Sequence, residues 1–303
     1  EYLFHAMFSV MLFCMVFMLY PRASISAKRI MAVLNTETSI ENHSGNAQTD
    51  SGSGEHSVIF EHVDFVYPDG EEAVLKDISF SAKSGETVAF IGSTGSGKSS
   101  LIQLIPRFYD RASGNIYIDG QKIEDLDINA LRSKIGFVPQ KAHLFSGTIE
   151  ENIRFGKPDA TMDEIIHAAK IAQAYDFIME KPHQFQEQIV EGATNVSGGQ
   201  KQRLSIARAL IRKPEIYIYD DSFSALDFKT DARLRKALKP EIKNAIVFLV
   251  AQRVSTILDA DKIVVLDEGK IAGIGTHREL LASCPIYYEI AASQLSKEEL
   301  TYA

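Results

Sequence analysis

The segment IYIYDDSFSALD places two adjacent carboxylates, Asp220 and Asp221, directly after an apolar run. A run of alternating isoleucine and tyrosine is typical of a buried β-strand. A carboxylate at a strand end can ligate a phosphate-bound Mg²⁺, and a second one can orient or deprotonate a water molecule. The second role depends on side-chain length as well as position. The pair therefore predicts a metal site and raises the question of whether the same site hydrolyses a phosphate bond.

A glycine-rich segment, GSTGSGKSS, follows the apolar run ETVAFI and satisfies the phosphate-loop pattern G-x-x-x-x-G-K-[ST]. Glycines let backbone N–H groups close around phosphate oxygens, and the helix predicted after the loop offers its positive N-terminus. Lys98 is placed to reach the β and γ phosphates, and Ser99 is placed to ligate Mg²⁺ together with Asp220. A glycine-rich turn without nucleotide is the disfavoured alternative. The predicted nucleotide-binding residues of this loop are Gly92, Ser93, Thr94, Gly95, Ser96, Gly97, Lys98, Ser99 and Ser100.

Composition restricts the classes of function. The chain has 303 residues, of which 45% are hydrophobic, so it can bury a sizeable core. Its formal net charge of -8 gives no general electrostatic reason to bind nucleic acid. The two cysteines, Cys14 and Cys284, have no partner at metal-ligand or redox-motif spacing, which favours a reduced compartment.

The N-terminal segment Phe4–Tyr20 is almost wholly apolar and predicts most of a membrane helix, for which about 20 residues are needed. The basic residues after it, Arg22, Lys28 and Arg29, predict that its C-terminal end faces the cytoplasm. A signal peptide is the alternative, but no basic segment precedes the apolar run and the helical pattern continues beyond it. Because the sequence opens on Glu1 rather than Met, we expect further residues upstream.

Composition changes along the chain predict three segments. Residues 1–35 are the C-terminal part of a transmembrane domain, and residues 36–56, rich in Ser, Gly and Asn, are a flexible linker. Residues 57–303 alternate short β-rich runs with helical stretches, which predicts an α/β domain with a largely parallel sheet. The predicted strands lie in SVIFEHVDFVY, ETVAFIG, NIYIDG, IGFVPQ, EIYIYDD, AIVFLVA and KIVVLDEGKIAGIG.

Further segments resemble those of ATP-binding cassette (ABC) transporter ATPases over roughly Ser57 to Ile290. NVSGGQKQRLSIARAL resembles the signature motif of that family. Tyr67 in DFVYP is similar to the aromatic residue that stacks on adenine, and Gln140 in GFVPQ to the Q-loop glutamine that touches Mg²⁺ and faces the membrane domain. SALD, ending at Asp227, is similar to the D-loop.

The resemblance implies a P-loop NTPase of the ABC type, with a RecA-like core, an antiparallel β subdomain and a helical signature subdomain, after a partial transmembrane helix. It implies ATP and Mg²⁺ as ligands and a second half-transporter as partner. In this family the signature, here Ser197, Gly198, Gly199 and Gln200, binds the γ-phosphate held by the opposing subunit. The exporter type further implies a multi-pass protein of the cell membrane with its nucleotide-binding domain on the cytoplasmic side.

Two residues depart from the pattern of hydrolytically competent cassettes. Asp221 stands where the family normally has glutamate, and the shorter side chain would reach the attacking water poorly. Gln252 stands where the family normally has a switch histidine, and an amide has no titratable charge. Asp221, Gln252 and Gln140 are the predicted catalytic residues. Together the departures resemble the degenerate subunit of a heterodimeric exporter, whose signature would complete the partner's competent site.

Three alternatives remain at this point. The chain could form a homodimer in which Asp221 is a working base. It could be a soluble ABC ATPase that acts in DNA repair or translation. The apolar N-terminal segment and the net negative charge disfavour that alternative. It could be a regulatory nucleotide-binding module, which the intact signature disfavours. In this family, the residues that contact the transported substrate lie in membrane helices.

Overall fold

The N-terminal apolar segment forms one helix, α1 (Tyr2–Leu34). Its 33 residues span ~50 Å at 1.5 Å per residue, and Pro21 lies inside it. None of its side chains is buried within the chain. By length and composition α1 could cross a membrane, as expected for the segment around Phe4–Tyr20.

The computed structural model describes residues 1–36, 38, 40, 42, 56–296 and 300. The chain divides into two units, Glu1–Glu41 and Asn42–Ala303. Most of the predicted linker, residues 36–56, lies outside the described residues.

The second unit alternates strands and helices. The strands are β1 (Ser57–Phe65), β2 (Leu75–Lys83), β3 (Thr87–Gly92), β4 (Ser113–Ile118), β5 (Gln121–Lys122), β6 (Ile135–Val138), β7 (Gly147–Thr148), β8 (Gln188–Ile189), β9 (Ile216–Asp220), β10 (Ile246–Val250), β11 (Lys262–Asp267) and β12 (Lys270–Gly275). The helices are α2 (Lys98–Leu104), α3 (Ile128–Ser133), α4 (Ile149–Arg154), α5 (Met162–Ile171), α6 (Tyr175–Met179), α7 (Gly198–Leu210), α8 (Phe228–Glu241), α9 (Val254–Ile257), α10 (His277–Ser283) and α11 (Pro285–Gln294).

The central sheet has the strand order β12-β11-β3-β10-β9-β6. Its neighbours pair in parallel except β11 and β12, which form an antiparallel pair at one edge. β9 and β10 are buried at every position, as expected for strands covered on both faces. The prediction of an α/β domain with a largely parallel sheet is confirmed. The parallel arrangement brings the carboxyl ends of β3, β9 and β10 to one edge.

A second, antiparallel sheet has the order β2-β1-β4-β5. Its apolar face belongs to a core cluster shared with α2 and one face of the central sheet. The other cluster includes buried residues of α4, α5, α6 and α7 and the opposite face of the central sheet. The antiparallel and helical parts of the expected fold are thus both present.

α7 begins in the signature segment. Ser197 is its N-cap, and Ser197 and Gln200 form a capping box in which each side chain bonds to the other residue's backbone N–H. The helix therefore starts at Gly198, two residues before the start near Gln200 expected from the sequence. The capping box satisfies two N–H groups of the first turn, and the helix then buries Leu204, Ile206 and further residues in the core.

Candidate nucleotide-binding site

The phosphate loop lies between β3 and α2 and wraps around the ammonium group of Lys98. Lys98 Nζ donates to the carbonyl oxygens of Gly92 at 2.9 Å and Ser93 at 2.6 Å, and it lies 3.1 Å from Ser96 Oγ. Burial lowers the pKa of Lys98, while the charges of Asp221 and Asp220 oppose that effect. The loop thus holds a cation at the position predicted to meet phosphate.

Two glycines of the loop cannot be replaced without strain. Gly97 has a φ of 95°, and a Cβ there would lie 2.6 Å from Leu75 Cδ2. At Gly92 a Cβ would lie 2.0 Å from the carbonyl oxygen of Leu266. Ser93, Thr94 and Gly95, between them, are exposed. The tight glycines fix the ends of the loop while its centre remains accessible.

Two of the three predicted Mg²⁺ ligands, Ser99 and Asp220, lie side by side, whereas Gln140 is bonded to Asp221. Ser99 Oγ, in the first turn of α2, donates to Asp220 Oδ1 at the end of β9 over 2.9 Å. A hydroxyl and a carboxylate are oxygen donors of the kind that Mg²⁺ prefers. Burial raises the pKa of Asp220, and the hydrogen bond from Ser99 counters that effect. These two residues fit a Mg²⁺ ion, although their roles stay a prediction.

The carboxylate of Asp221 accepts hydrogen bonds from two side-chain amides that lie far from it in the sequence. Gln252 Nε2 donates to Asp221 Oδ2 at 2.7 Å, and Gln140 Nε2 donates to the same oxygen at 3.2 Å. Asp221 is 7% exposed and has a φ of 47°, which is uncommon outside glycine. Burial raises its pKa, partly offset by the hydrogen bond from Gln140. The structure thus brings together the three residues predicted to be catalytic.

The signature and D-loop residues form a second cluster. Ser197 N and Gln200 Oε1 are 3.0 Å apart, and Gln200 N lies 3.3 Å from Ser197 Oγ. A Cβ on Gly199 would lie 3.2 Å from the carbonyl oxygen of Ala225, whereas one on Gly198 would meet nothing within 4 Å. Among the described residues, no hydrogen bond joins this cluster to the phosphate loop. Within the described residues, the two groups of predicted nucleotide-binding residues therefore belong to separate hydrogen-bond networks.

Comparison with known proteins identifies this arrangement. The sequence profile described as ABC transporter matches residues 75–224, which contain the phosphate loop, the signature and both acids. The chain carries an ATP-binding domain of the ABC transporter family. An uncharacterised ABC transporter ATP-binding protein of Bacillus subtilis is 45% identical over 287 residues, which cover 95% of this chain and 49% of that protein.

Other relatives are exporters by name. A Staphylococcus aureus protein provisionally named a multidrug export ATP-binding/permease protein is 48% identical over 237 residues, which cover 78% of this chain and 41% of that protein. The structure of a bacterial Atm1-family ABC exporter with ATP bound superposes with a TM-score of 0.84 and 34% identity, covering 93% of this chain and 49% of that one. The chain spans about half the length of these relatives.

Tyr67, the predicted adenine-stacking residue of the ATP-binding domain, lies beside the phosphate loop. Its hydroxyl is 2.8 Å from Ser100 Oγ in α2, so the ring is fixed relative to the loop. The edges of its ring meet Phe65 and Tyr109 at centroid distances of 4.7 and 5.1 Å. The side chain is half-buried.

Asp227, the last residue of the D-loop, caps α8. Its carboxylate accepts a hydrogen bond from Thr230 N at 2.9 Å, and the hydrogen bonds at this cap lower the pKa of Asp227. Any contact of Asp227 with nucleotide stays a prediction.

Two residues of the ATP-binding domain have site contacts that the sequence did not predict. Gln202, buried in α7, donates through Nε2 to the carbonyl oxygen of Pro139 at 3.1 Å, one residue before Gln140. Burial raises the pKa of Asp221, and the charge of Arg253 opposes that rise; Arg253 Nη2 also donates to the carbonyl oxygen of Ser224 at 3.4 Å. Neither could be found by a motif, since both contacts join segments that only the fold brings together.

Proposed function

We propose that the chain is the ATP-binding part of an ABC exporter, which binds MgATP, pairs with a partner cassette and drives transport across a membrane. The superposition with an ATP-bound exporter and the names of the relatives support this proposal. The candidate membrane span α1 is consistent with a multi-pass protein of the cell membrane whose ATP-binding domain is cytoplasmic. ATP would shift the pair toward a closed state, and that shift would be passed to the membrane helices.

We propose further that the chain's own site holds ATP but hydrolyses it poorly. This proposal rests on the two side-chain amides that donate hydrogen bonds to Asp221 Oδ2. Gln252 occupies the position of the switch histidine and is bonded to the residue that replaces the catalytic glutamate. An amide donor stabilises the carboxylate without supplying a titratable group. Bound this way, the short side chain is held back from a water beyond the γ-phosphate, and ångström-scale misplacement costs about 100-fold in rate.

The intact signature would serve the partner. Ser197 and the bare backbone at Gly198 lie at the start of the 13-residue helix α7, where N–H groups and the helix dipole favour an anion. Their separation from the chain's own phosphate loop fits a role at a partner's nucleotide. The partner would then carry glutamate and histidine at the positions of Asp221 and Gln252.

A homodimer with Asp221 as a working base is the second candidate. The raised pKa of Asp221 favours it, because a carboxylate with a raised pKa accepts a proton more readily. In this case both sites of the pair would hydrolyse ATP.

ATP turnover of the full-length transporter, reconstituted with its partner, separates the two candidates. We expect Ser197→Ala to abolish turnover and Asp221→Glu combined with Gln252→His to change it only modestly. Rapid turnover by the full-length chain alone, stopped by Asp221→Asn, would instead establish the homodimer. Transport that continued unchanged without nucleotide would refute a coupled exporter.

A further inference from the structure

A second cavity lies under α8. Its volume is about 610 Å³, within the ~300–1,000 Å³ typical of small-molecule sites. Its walls come from α8, from β9 and β10, and from the segments that lead into β3 and β11. No phosphate-loop residue lines it, so it is distinct from the nucleotide-binding site.

The interior of the cavity is apolar. The sheet contributes Tyr219, Val247 and Leu249, and α8 contributes Leu238. Phe223 adds an aromatic ring whose centroid lies 5.3 Å from that of Tyr219. These side chains are all at most 6% exposed, and they would receive the apolar body of a ligand.

One polar atom of this wall has no partner. The hydroxyl of Tyr219 is buried and forms no hydrogen bond within the described part of the chain, and the residue is 1% exposed. Buried hydroxyl groups are almost always paired, so an orphan on a cavity wall points to a missing partner. Burial also raises the pKa of Tyr219 well above its ordinary value, which keeps the hydroxyl a neutral donor. The oxygen exposes less than 1 Å², so a bound molecule would reach it only after a neighbouring wall side chain moves aside.

The rim of the cavity is basic. Arg235, Lys236, Lys239 and Lys243 line it, and Arg235 is paired with Asp231 at 3.2 Å. The three lysines are exposed and have no ion pair among the described residues. Lys236 and Lys239 lie three residues apart on α8 and therefore on the same face of the helix.

Two acidic residues also line the cavity, against four basic ones, and one of the two is held by a hydrogen bond. Asp261 accepts a hydrogen bond from Thr87 N at 2.8 Å, which holds its carboxylate at the start of β3. Asp259 is exposed and has no such bond within the described residues. The rim thus favours a negatively charged group on the α8 side.

We propose that this cavity binds a small amphipathic anion. Its apolar body packs against Tyr219, Phe223 and Leu249, and its anionic head lies at Lys236 and Lys239. The class includes acyl and aryl carboxylates of about ten carbon atoms. The proposal does not depend on whether the chain's own nucleotide site hydrolyses ATP.

Photolabelling of the full chain tests the site. The probes are a decanoate that carries a diazirine in its chain and the decanol of the same skeleton, and labelled peptides are identified by mass spectrometry. We expect the carboxylate to label residues of α8, β9 and β10 saturably and the alcohol to label them at least about tenfold less at equal concentration. Lys236→Glu with Lys239→Glu should reduce labelling by the carboxylate about tenfold, whereas Lys76→Glu with Lys122→Glu should leave it within twofold.

A second pair of variants distinguishes the cavity from the general surface. Ala232 is an exposed wall residue of α8, and Ala232→Trp places a large ring at the mouth of the cavity. It should abolish saturable labelling by both probes, while Ala292→Trp, at an exposed position of α11, should not. Labelling confined to α1, labelling that does not saturate, or equal labelling by the two probes would each overturn the proposal, because each indicates adventitious partition of the probe only.

Discussion

Asp221 is a buried carboxylate with two neutral amide donors, and its burial affects the free energy of unfolding. Burial raises the pKa of Asp221, so the folded chain binds this proton more readily than the unfolded chain. The ionised carboxylate therefore lowers the free energy of unfolding at pH values above the ordinary aspartate pKa. The cost shrinks as the pH falls below the raised pKa, where folded Asp221 takes up its proton, and it is gone below the ordinary aspartate pKa.

We expect Asp221→Asn to raise the free energy of unfolding of the nucleotide-free chain by about 1 kcal/mol at pH 7. The gain should shrink as the pH is lowered, since the wild-type side chain then becomes neutral too. Urea unfolding at several pH values measures both effects. The matched control is Asp227→Asn, which removes a carboxylate whose pKa is lowered and should give no gain. A loss of stability for Asp221→Asn at pH 7 would contradict the proposed cost of the buried charge.

A comparison of two buried tyrosines, Tyr219 and Tyr287, tests whether the hydroxyl of Tyr219 lacks a hydrogen-bond partner. Tyr287 is 0% exposed, and its hydroxyl lies 2.7 Å from His277 Nδ1. Tyr287→Phe should therefore cost about 1 kcal/mol or more, since a paired buried polar atom is left behind. Tyr219→Phe removes only an unpartnered hydroxyl and should leave the free energy of unfolding unchanged or raise it by up to about 1 kcal/mol. Equal losses in the two variants, measured by urea unfolding, would show that Tyr219 is paired.

Among the elements, α7 has an observed cap and a predicted phosphate contact at the same end. Ser197 Oγ caps the helix and is also the hydroxyl predicted to face a partner's phosphate. Loss of activity in Ser197→Ala could then reflect either a missing contact or a frayed helix. Removing an N-cap serine costs about 1 kcal/mol, whereas asparagine caps nearly as well.

The pair Ser197→Ala and Ser197→Asn separates these functions. We expect Ser197→Ala to lower the free energy of unfolding by about 1 kcal/mol and Ser197→Asn to lower it by less than half of that. Both should abolish turnover by the reconstituted transporter, because neither keeps the small hydroxyl group. Activity retained in Ser197→Asn would mean that the cap alone, and not the hydroxyl, is needed.

The elements also show which features the sequence could predict. Strands β9 and β10 are continuous apolar runs, so their type and their carboxyl ends could be predicted. β2 was not among the predicted strands, because LKDISFSAK mixes buried and exposed positions and contains no continuous apolar run. The phosphate loop and the signature follow from local spacing. The bonds from Gln140 and Gln252 to Asp221 cross 81 and 31 residues of sequence, so only the folded chain reveals them.

In the second unit as a whole, the predicted nucleotide-binding residues and the cavity under α8 lie toward opposite edges of the central sheet. The phosphate loop and both acids lie at the carboxyl ends of the strands, as expected for an open parallel sheet. The 610 Å³ cavity extends under α8 toward the opposite edge, where its lining residues Thr87 and Val247 are the first residue of β3 and the second of β10. A much smaller cavity of about 10 Å³, lined by Asp221 and Gln252 among others, shares the walls Phe223 and Thr256 with the cavity under α8. The two cavities therefore share two side chains, and the smaller one includes Asp221 but no residue of the phosphate loop.

Because Phe223 and Thr256 line both cavities, we expect ligand binding under α8 to be coupled to nucleotide binding. A ligand under α8 that displaces Phe223 would also move Asp221, two residues earlier in the chain, which is predicted to lie at the bound nucleotide. Coupling between binding sites is reciprocal, and its usual size is about 5- to 150-fold in affinity.

We expect saturating decanoate to change the dissociation constant of a fluorescent ATP analogue about fivefold or more, and saturating ATP to change that of decanoate by the same factor. Phe223→Leu keeps an apolar wall but removes the ring that touches both cavities, so it should bring both factors close to one. The control Phe137→Leu changes a partly buried ring that lines neither cavity and should preserve the coupling. Decanoate binding that saturates under α8 while both dissociation constants stay unchanged would show that the shared walls are rigid and that the two sites act independently.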